Sequence, residues 1–304
     1  MQRVKRWIPL LVVPALLLAG CSGAPAAGSG SRSGGTVHVV ASTDVWGDIV
    51  QQVGGSAVSV DSIITDPDRD PHEYQADPRD QLAVSRAQLV VVNGGGYDDF
   101  LTQMLKNAPS STEVVNAADA SGLDQKPASG EFNEHLWYDF PVVARVAGVI
   151  ADELGKVAPS KRATFDANLK TFTASLAGLE RTEASIKATE AGKGVAITEP
   201  VPLYMTAAMG LVNRTPPAFS EAIEEGDDVA PAVLREQLAL LTEHRVAVLA
   251  YNEQTTGSTT EQVLAAAKQA DVPVVGVRET LPEGKDYLQW MKDDLAAMQT
   301  ALSR

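Results

Sequence analysis

Histidine is scarce in this chain, with four in 304 residues, and two of the four stand where a ligand would find them. His72 closes the turn-rich run Asp66-Pro67-Asp68-Arg69-Asp70-Pro71-His72 directly after a β-rich segment. His135 lies in Asn133-Glu134-His135-Leu136-Trp137-Tyr138-Asp139, just ahead of a helical one. Two carboxylates take matching places further on: Glu199 follows the apolar run Gly194-Val195-Ala196-Ile197-Thr198, and Glu279 follows Val274-Val275-Gly276-Val277 with only Arg278 between. Neutral imidazole nitrogens and carboxylate oxygens are donors that zinc and manganese accept. Two of each, brought together at strand ends, make a four-ligand site for a divalent cation. Singly, the same residues have plainer readings, the histidines as ordinary loop residues and the glutamates as favourable charges at the starts of the following helices. His38, inside a strand, and His244, at a helix end beside Arg245, read as structural.

Other chemistries find little support. His72-Glu73 is followed by Tyr74, Gln75 and Ala76, so no His-Glu-x-x-His is formed; there is no Gly-x-Ser-x-Gly elbow or phosphate loop, and Asn93-Gly94-Gly95-Gly96-Tyr97 lacks the rest of a dinucleotide fingerprint. Cys21 is the single cysteine, which precludes an internal disulfide, a thiolate zinc cluster or a cysteine dyad. The net charge of −14 argues against nucleic acid as a partner, because phosphate binding needs a basic face. A negative field suits a cation.

The elements that must position these donors alternate between strand and helix, the signature of a parallel α/β fold. Short β-rich runs at 36–41, 58–64, 88–93 and 113–115 are interleaved with helical segments near 46–53, 77–85, 98–107 and 141–157. The pattern resumes with strands at 195–198, 246–250 and 272–277 and helices at 202–209, 231–242, 259–269 and 287–302. Between the two sets lies the longest periodic stretch in the chain. Phe165, Leu169, Phe172, Leu176, Leu179 and Ile186 form one apolar stripe on a helix over 158–191, with Pro159 in its first turn and Gly192 and Gly194 as stop signals. Ligands in open α/β sheets bind in loops at the carboxyl ends of the strands. The expected organisation is therefore an N-terminal α/β lobe at 36–157, a linking helix at 158–191 and a C-terminal α/β lobe at 192–304. The segment 117–132 is expected to be a mobile flap.

The N-terminus carries an export signal. Arg3, Lys5 and Arg6 precede an apolar run over 7–19 too short for a stop-transfer helix, and Leu18-Ala19-Gly20-Cys21 resembles a bacterial lipobox. Residues 1–20 would be a signal peptide, Cys21 the lipidated first residue and 21–35 a flexible Gly/Ser/Ala tether. Losing those three cations takes the charge from −14 to −17.

Together these motifs resemble the cluster A-I solute-binding lipoproteins of zinc and manganese ABC transporters. They comprise the lipobox, Asp70-Pro71-His72-Glu73-Tyr74, Asn93-Gly94-Gly95-Gly96-Tyr97, Asn133 to Asp139, Ile197-Thr198-Glu199-Pro200, Tyr251-Asn252-Glu253-Gln254-Thr255 and Glu279-Thr280-Leu281-Pro282. The resemblance implies two Rossmann-like lobes joined by one rigid helix. Its implied metal ligands are His72, His135, Glu199 and Glu279. It further implies a monomer anchored through Cys21 to the outer face of the membrane, which passes its ion to a permease and ATPase complex. Zinc is expected ahead of manganese, and no catalysis is expected. A metal-dependent hydrolase and a metal-stabilised surface adhesin are the alternative functions; the first would need an open coordination position, which four protein ligands on a tetrahedral ion do not leave.

Overall fold

The computed structural model describes residues 35–66, 72, 74–128 and 130–304. The signal peptide, Cys21 and residues 21–34 of the tether lie outside the described residues, as do 67–71 and 73. Among the described residues no helix is long and apolar enough to cross a membrane.

Two four-stranded parallel sheets organise the chain. The first comprises β1 (Val37–Thr43), β2 (Val58–Ile64), β3 (Leu89–Val92) and β4 (Glu113–Asn116) in the order β2-β1-β3-β4. The second repeats that order with β5 (Gly194–Ile197), β6 (Val212–Asn213), β7 (Val248–Asn252) and β8 (Val274–Val277), as β6-β5-β7-β8. β3 and β7 are buried at every position, as expected of strands covered on both faces. The connecting helices of the first half are α1 (Asp44–Gly54), α2 (Pro78–Arg86), α3 (Asp99–Leu105), α4 (Ala117–Ser121) and α5 (Phe140–Val157). After the linking helix α6 (Arg162–Glu190) come α7 (Leu203–Ala208), α8 (Pro217–Glu224), α9 (Pro231–Thr242), α10 (Ser258–Gln269) and α11 (Tyr287–Leu302).

At 29 residues, α6 is about 43 Å long. A single 3₁₀ turn at Pro159–Lys161 leads into it, with Pro159 in the first turn, where a helix leaves its N–H groups unused. Phe165, Phe172, Leu176, Leu179 and Ile186 are buried along one stripe, with Leu169 partly covered. The helix packs on α1 and α5 at one end of the fold and on α7 and α11 at the other, so one hydrophobic core runs from β1 through to β8. The stripe holds one charge. Glu183 fills the position between Leu179 and Ile186, 5% exposed, with Oε1 lacking a hydrogen-bond partner. Burial pushes its carboxyl up to about 8, and the charges of Asp139 and Glu180 add to the shift.

Two segments depart from the sequence reading. The stretch expected as a mobile flap begins with a formed helix, α4, whose Asn116 side chain accepts the Asp119 N–H at 3.1 Å, and Phe132 at its far end packs against the core. The second departure is β6 and α8, which the periodicity did not reveal. α8 starts on Pro217 and buries Phe219 and Ile223, one helical turn apart.

Candidate metal centre

All four predicted donors come from the carboxyl ends of strands or the loops beyond them. Glu199 lies two residues past β5 and Glu279 two past β8, so the sheet itself places them. His72 is in the long connection after β2, with its side chain 24% exposed, and His135 immediately precedes the 3₁₀ turn Leu136–Tyr138 that leads into α5. His38 lies near the amino end of β1, and His244 precedes β7, both at the opposite end of the sheets.

One carboxylate oxygen is the focus. Glu279 Oε2 stands 3.5 Å from His72 Nε2 and 3.6 Å from His135 Nε2, and it accepts the Tyr97 hydroxyl at 3.2 Å. Donors bonded at about 2.0–2.1 Å to a tetrahedral ion stand roughly 3.3 Å from one another, so these spacings are close to those of a ligand shell. His72, His135 and Glu279 together present donor atoms all within 4.8 Å of each other. Tyr97 reaches Glu279 from a turn whose three glycines, Gly94, Gly95 and Gly96, all have positive φ, at 74°, 69° and 103°. A Cβ on Gly94 would stand 2.3 Å from Asn116 Oδ1, so the turn requires glycine on both counts.

The tautomer of His135 is set by its neighbour. Asn133 donates from Nδ2 to the Pro200 carbonyl at 3.1 Å, which fixes the orientation of its amide, and its Oδ1 then accepts both the His135 backbone N–H at 3.1 Å and Nδ1–H at 2.7 Å. The proton is held on Nδ1. In the neutral ring this leaves the lone pair on Nε2, facing Glu279, the form in which imidazole ligates a metal. The ring is fully buried, with edge contacts from Tyr97 and Trp137, and its Nε2 has no hydrogen-bond partner.

Glu199 stands beside this triad without joining it. The side-chain amide of Asn252, the last residue of β7, donates to Glu199 Oε2 and, at 2.9 Å, to Glu279 Oε1, so one NH₂ group ties the two carboxylates together. Glu199 Oε1 remains buried and unpartnered. The electrostatics divide the pair. Burial alone would raise Glu279, but the imidazoles of His135 and His72 hold it well below the usual carboxylate range. Burial pushes Glu199 up to about 7, and the Glu279 charge adds to that. Burial lowers His135, and the Glu279 carboxylate beside it outweighs burial, with Glu134 and Glu224 adding to a net rise.

Glu224 was missed because α8 was missed. Its Oε1 is 3.8 Å from His135 Nε2, is buried and lacks a hydrogen-bond partner. Burial raises its carboxyl to about 8, against the opposing pull of His135. The signal was present in the sequence: a proline start at Pro217, Phe219 and Ile223 one turn apart, and Gly226 as a stop. Three orphaned buried atoms, His135 Nε2, Glu199 Oε1 and Glu224 Oε1, thus surround one cleft. Buried polar groups are almost always satisfied, and a bound cation would satisfy these.

Residues 39–301 match the family described as zinc-uptake complex component A, periplasmic (ZnuA). The chain belongs to this family. Within the wider set of relatives, it is 24% identical to the manganese ABC transporter substrate-binding lipoprotein scaA of Streptococcus gordonii, over 98% of this chain and 99% of that protein. It is 32% identical to the manganese-binding lipoprotein MntA of Halalkalibacterium halodurans over 56% of each chain. A crystal structure of ZnuA aligns with a TM-score of 0.71 at 20% identity, covering 88% of this chain and 98% of that one, and shares the fold of two sheets joined by a long helix.

Proposed function

We propose that this ZnuA-family chain captures a divalent transition metal between the carboxyl ends of its two sheets and hands it to an ABC importer. The ion is cargo, and His72, His135, Glu199 and Glu279 are its ligands. The observation that carries this reading is the convergence of two imidazole nitrogens on Glu279 Oε2 at ligand-shell spacing, with further donor atoms beside it buried and unpartnered. Glu279 supplies charge at the centre and Glu199 completes the set by turning its orphaned Oε1 inward. Two nitrogens and two oxygens favour zinc in equilibrium competition and still accept manganese. Four protein ligands leave a tetrahedral ion no position for a substrate, so the chain acts as a carrier and not as a hydrolase.

Delivery requires the protein to stand at the membrane, and Cys21 is the anchor, holding a monomer to the outer face within reach of the permease. Contacts across the cleft, including Tyr204 Oη to the Asn133 carbonyl at 2.8 Å and Tyr138 Oη to the Arg278 carbonyl at 3.0 Å, restrict opening to small shifts. Isothermal titration tests the ligand assignment. His72→Ala and His135→Ala each weaken zinc binding strongly, whereas His38→Ala and His244→Ala leave it unchanged; the opposite pattern removes the assignment.

A further inference from the structure

The four proposed ligands leave Glu224 unexplained. Its Oε1 and the fully buried Nε2 of His135 face each other at 3.8 Å, each without a hydrogen-bond partner. Glu224 also forms, with His72 and Glu134, a second group whose donor atoms lie within 4.8 Å of one another. Although Glu224 and Glu279 both approach the same nitrogen of His135, they do not fall into one group among the described residues. Donors to one ion bonded at about 2.0–2.2 Å cannot stand more than roughly 4.4 Å apart. With the side chains as they stand, the outer group therefore marks a second position beside the inner one.

The surroundings point the same way. Glu134 and Glu224 line a cavity of about 200 Å³ together with Glu131, Glu221 and Glu225, and no lysine or arginine lines it. α8 is what brings three of these to one place, since burying Phe219 and Ile223 leaves Glu221, Glu224 and Glu225 towards the cavity. His72, the most exposed of the inner donors, is shared by both groups.

We propose that His72, Glu134 and Glu224 form an outer docking station for the divalent cation, from which the ion moves inward by exchanging the two glutamates for His135, Glu279 and Glu199 while His72 keeps hold of it. The inference rests on the metal-capture reading above. The ion loses the two carboxylate bonds of Glu134 and Glu224 and gains the imidazole of His135 and the carboxylates of Glu279 and Glu199, the last replacing a water of the incoming hydrated ion, which leaves to solvent. Because His72 belongs to both groups, the stations are occupied in succession and the stoichiometry stays at one. Neither the empty nor the loaded end state uses Glu134 or Glu224 as a ligand. Weakening the station must therefore slow uptake and release together and leave their ratio nearly fixed.

Stopped-flow mixing of the full chain with zinc, and separately with manganese, tests this. Glu134→Gln and Glu224→Gln are each expected to slow association at least fivefold, with dissociation slowed to match and Kd changed less than about twofold. Glu224→Asp keeps the charge but shortens the reach, and is expected to slow association at least threefold. Asp228→Asn removes an equal charge from the exposed loop after α8 and is expected to change the rate less than twofold. Rates in the glutamate variants equal to those of Asp228→Asn overturn the proposal. So does a wild-type rate in Glu224→Asp, which would reduce the effect to charge attraction, and so does a Kd that weakens in step with association, which would make Glu224 a ligand of the held ion. A wild-type chain that takes up neither metal refutes the capture reading itself, a separate result from any of these.

Discussion

The two sheets share one strand order and yet meet the cleft with different chemistry. From the first, His72 arrives eight residues past β2, and His135 from a segment just ahead of α5. From the second, Glu199 and Glu279 arrive two residues beyond β5 and β8. The strand side is fixed: the sheet places both carboxylates and Asn252 ties them to one amide. The loop side is graded, with His135 locked by Asn133, Tyr97 and Trp137 while His72 retains 24% exposure. Repeating a fold thus fixes where the strand-end donors stand, and the packing and hydrogen bonds around each loop donor decide how firmly it is held. In the proposed capture the cation would meet a carboxylate floor placed by the strands and a nitrogen wall with one accessible member.

The sharpest way to break this contrast is to remove a member of the rigid side. Glu279→Gln leaves two imidazoles without their central charge and is expected to weaken zinc binding by at least about 100-fold, or roughly 2.7 kcal/mol, in competition titrations. A loss below about tenfold would show that the floor is not central. Asn252→Ala keeps every proposed ligand but frees the two carboxylates, and a loss of about 10–100-fold is expected, the range for outer-shell partners. Glu199→His alters the donor balance and not the scaffold; it is expected to raise the zinc-to-manganese affinity ratio by favouring four-coordination with a softer ligand. An unchanged ratio would place Glu199 outside the shell.

The smallest effect concerns the rod that spans both sheets. Glu183 has a folded-state pKa raised to about 8 against an ordinary value of 4.5. A raised carboxyl pKa contributes stability that is full below about 4.5 and is lost as pH rises through about 8. Glu183→Gln is accordingly expected to raise the Tm by roughly 2–4 °C at pH 8.5, as about 1 kcal/mol would, and to change it little at pH 4.5. Equal shifts at both values would mean that ionisation of Glu183 is not what costs stability.

Much of this architecture was legible beforehand because its signals are local. The apolar stripe on α6 and the β-rich runs of both sheets are periodicities, and Glu199 and Glu279 stand out because they follow such runs directly. Glu183 escaped notice because a charge on an apolar stripe interrupts the very pattern used to find it. α8 escaped because eight residues hold only two apolar positions of the stripe, and Glu224 went with it. The role of Asn252 as a clamp depends on β7 lying between β5 and β8, an order that pairing settles and sequence spacing does not.

The measurement that bears most directly on the account is X-ray absorption spectroscopy of the full chain loaded with one equivalent of zinc. Two imidazole donors from the loop side and two oxygen donors from the strand side are expected in a four-coordinate shell, with one imidazole contribution lost in His135→Ala. A shell without imidazole scattering, or one that His135→Ala leaves unchanged, would contradict the claim that the two sheets hold the ion between them.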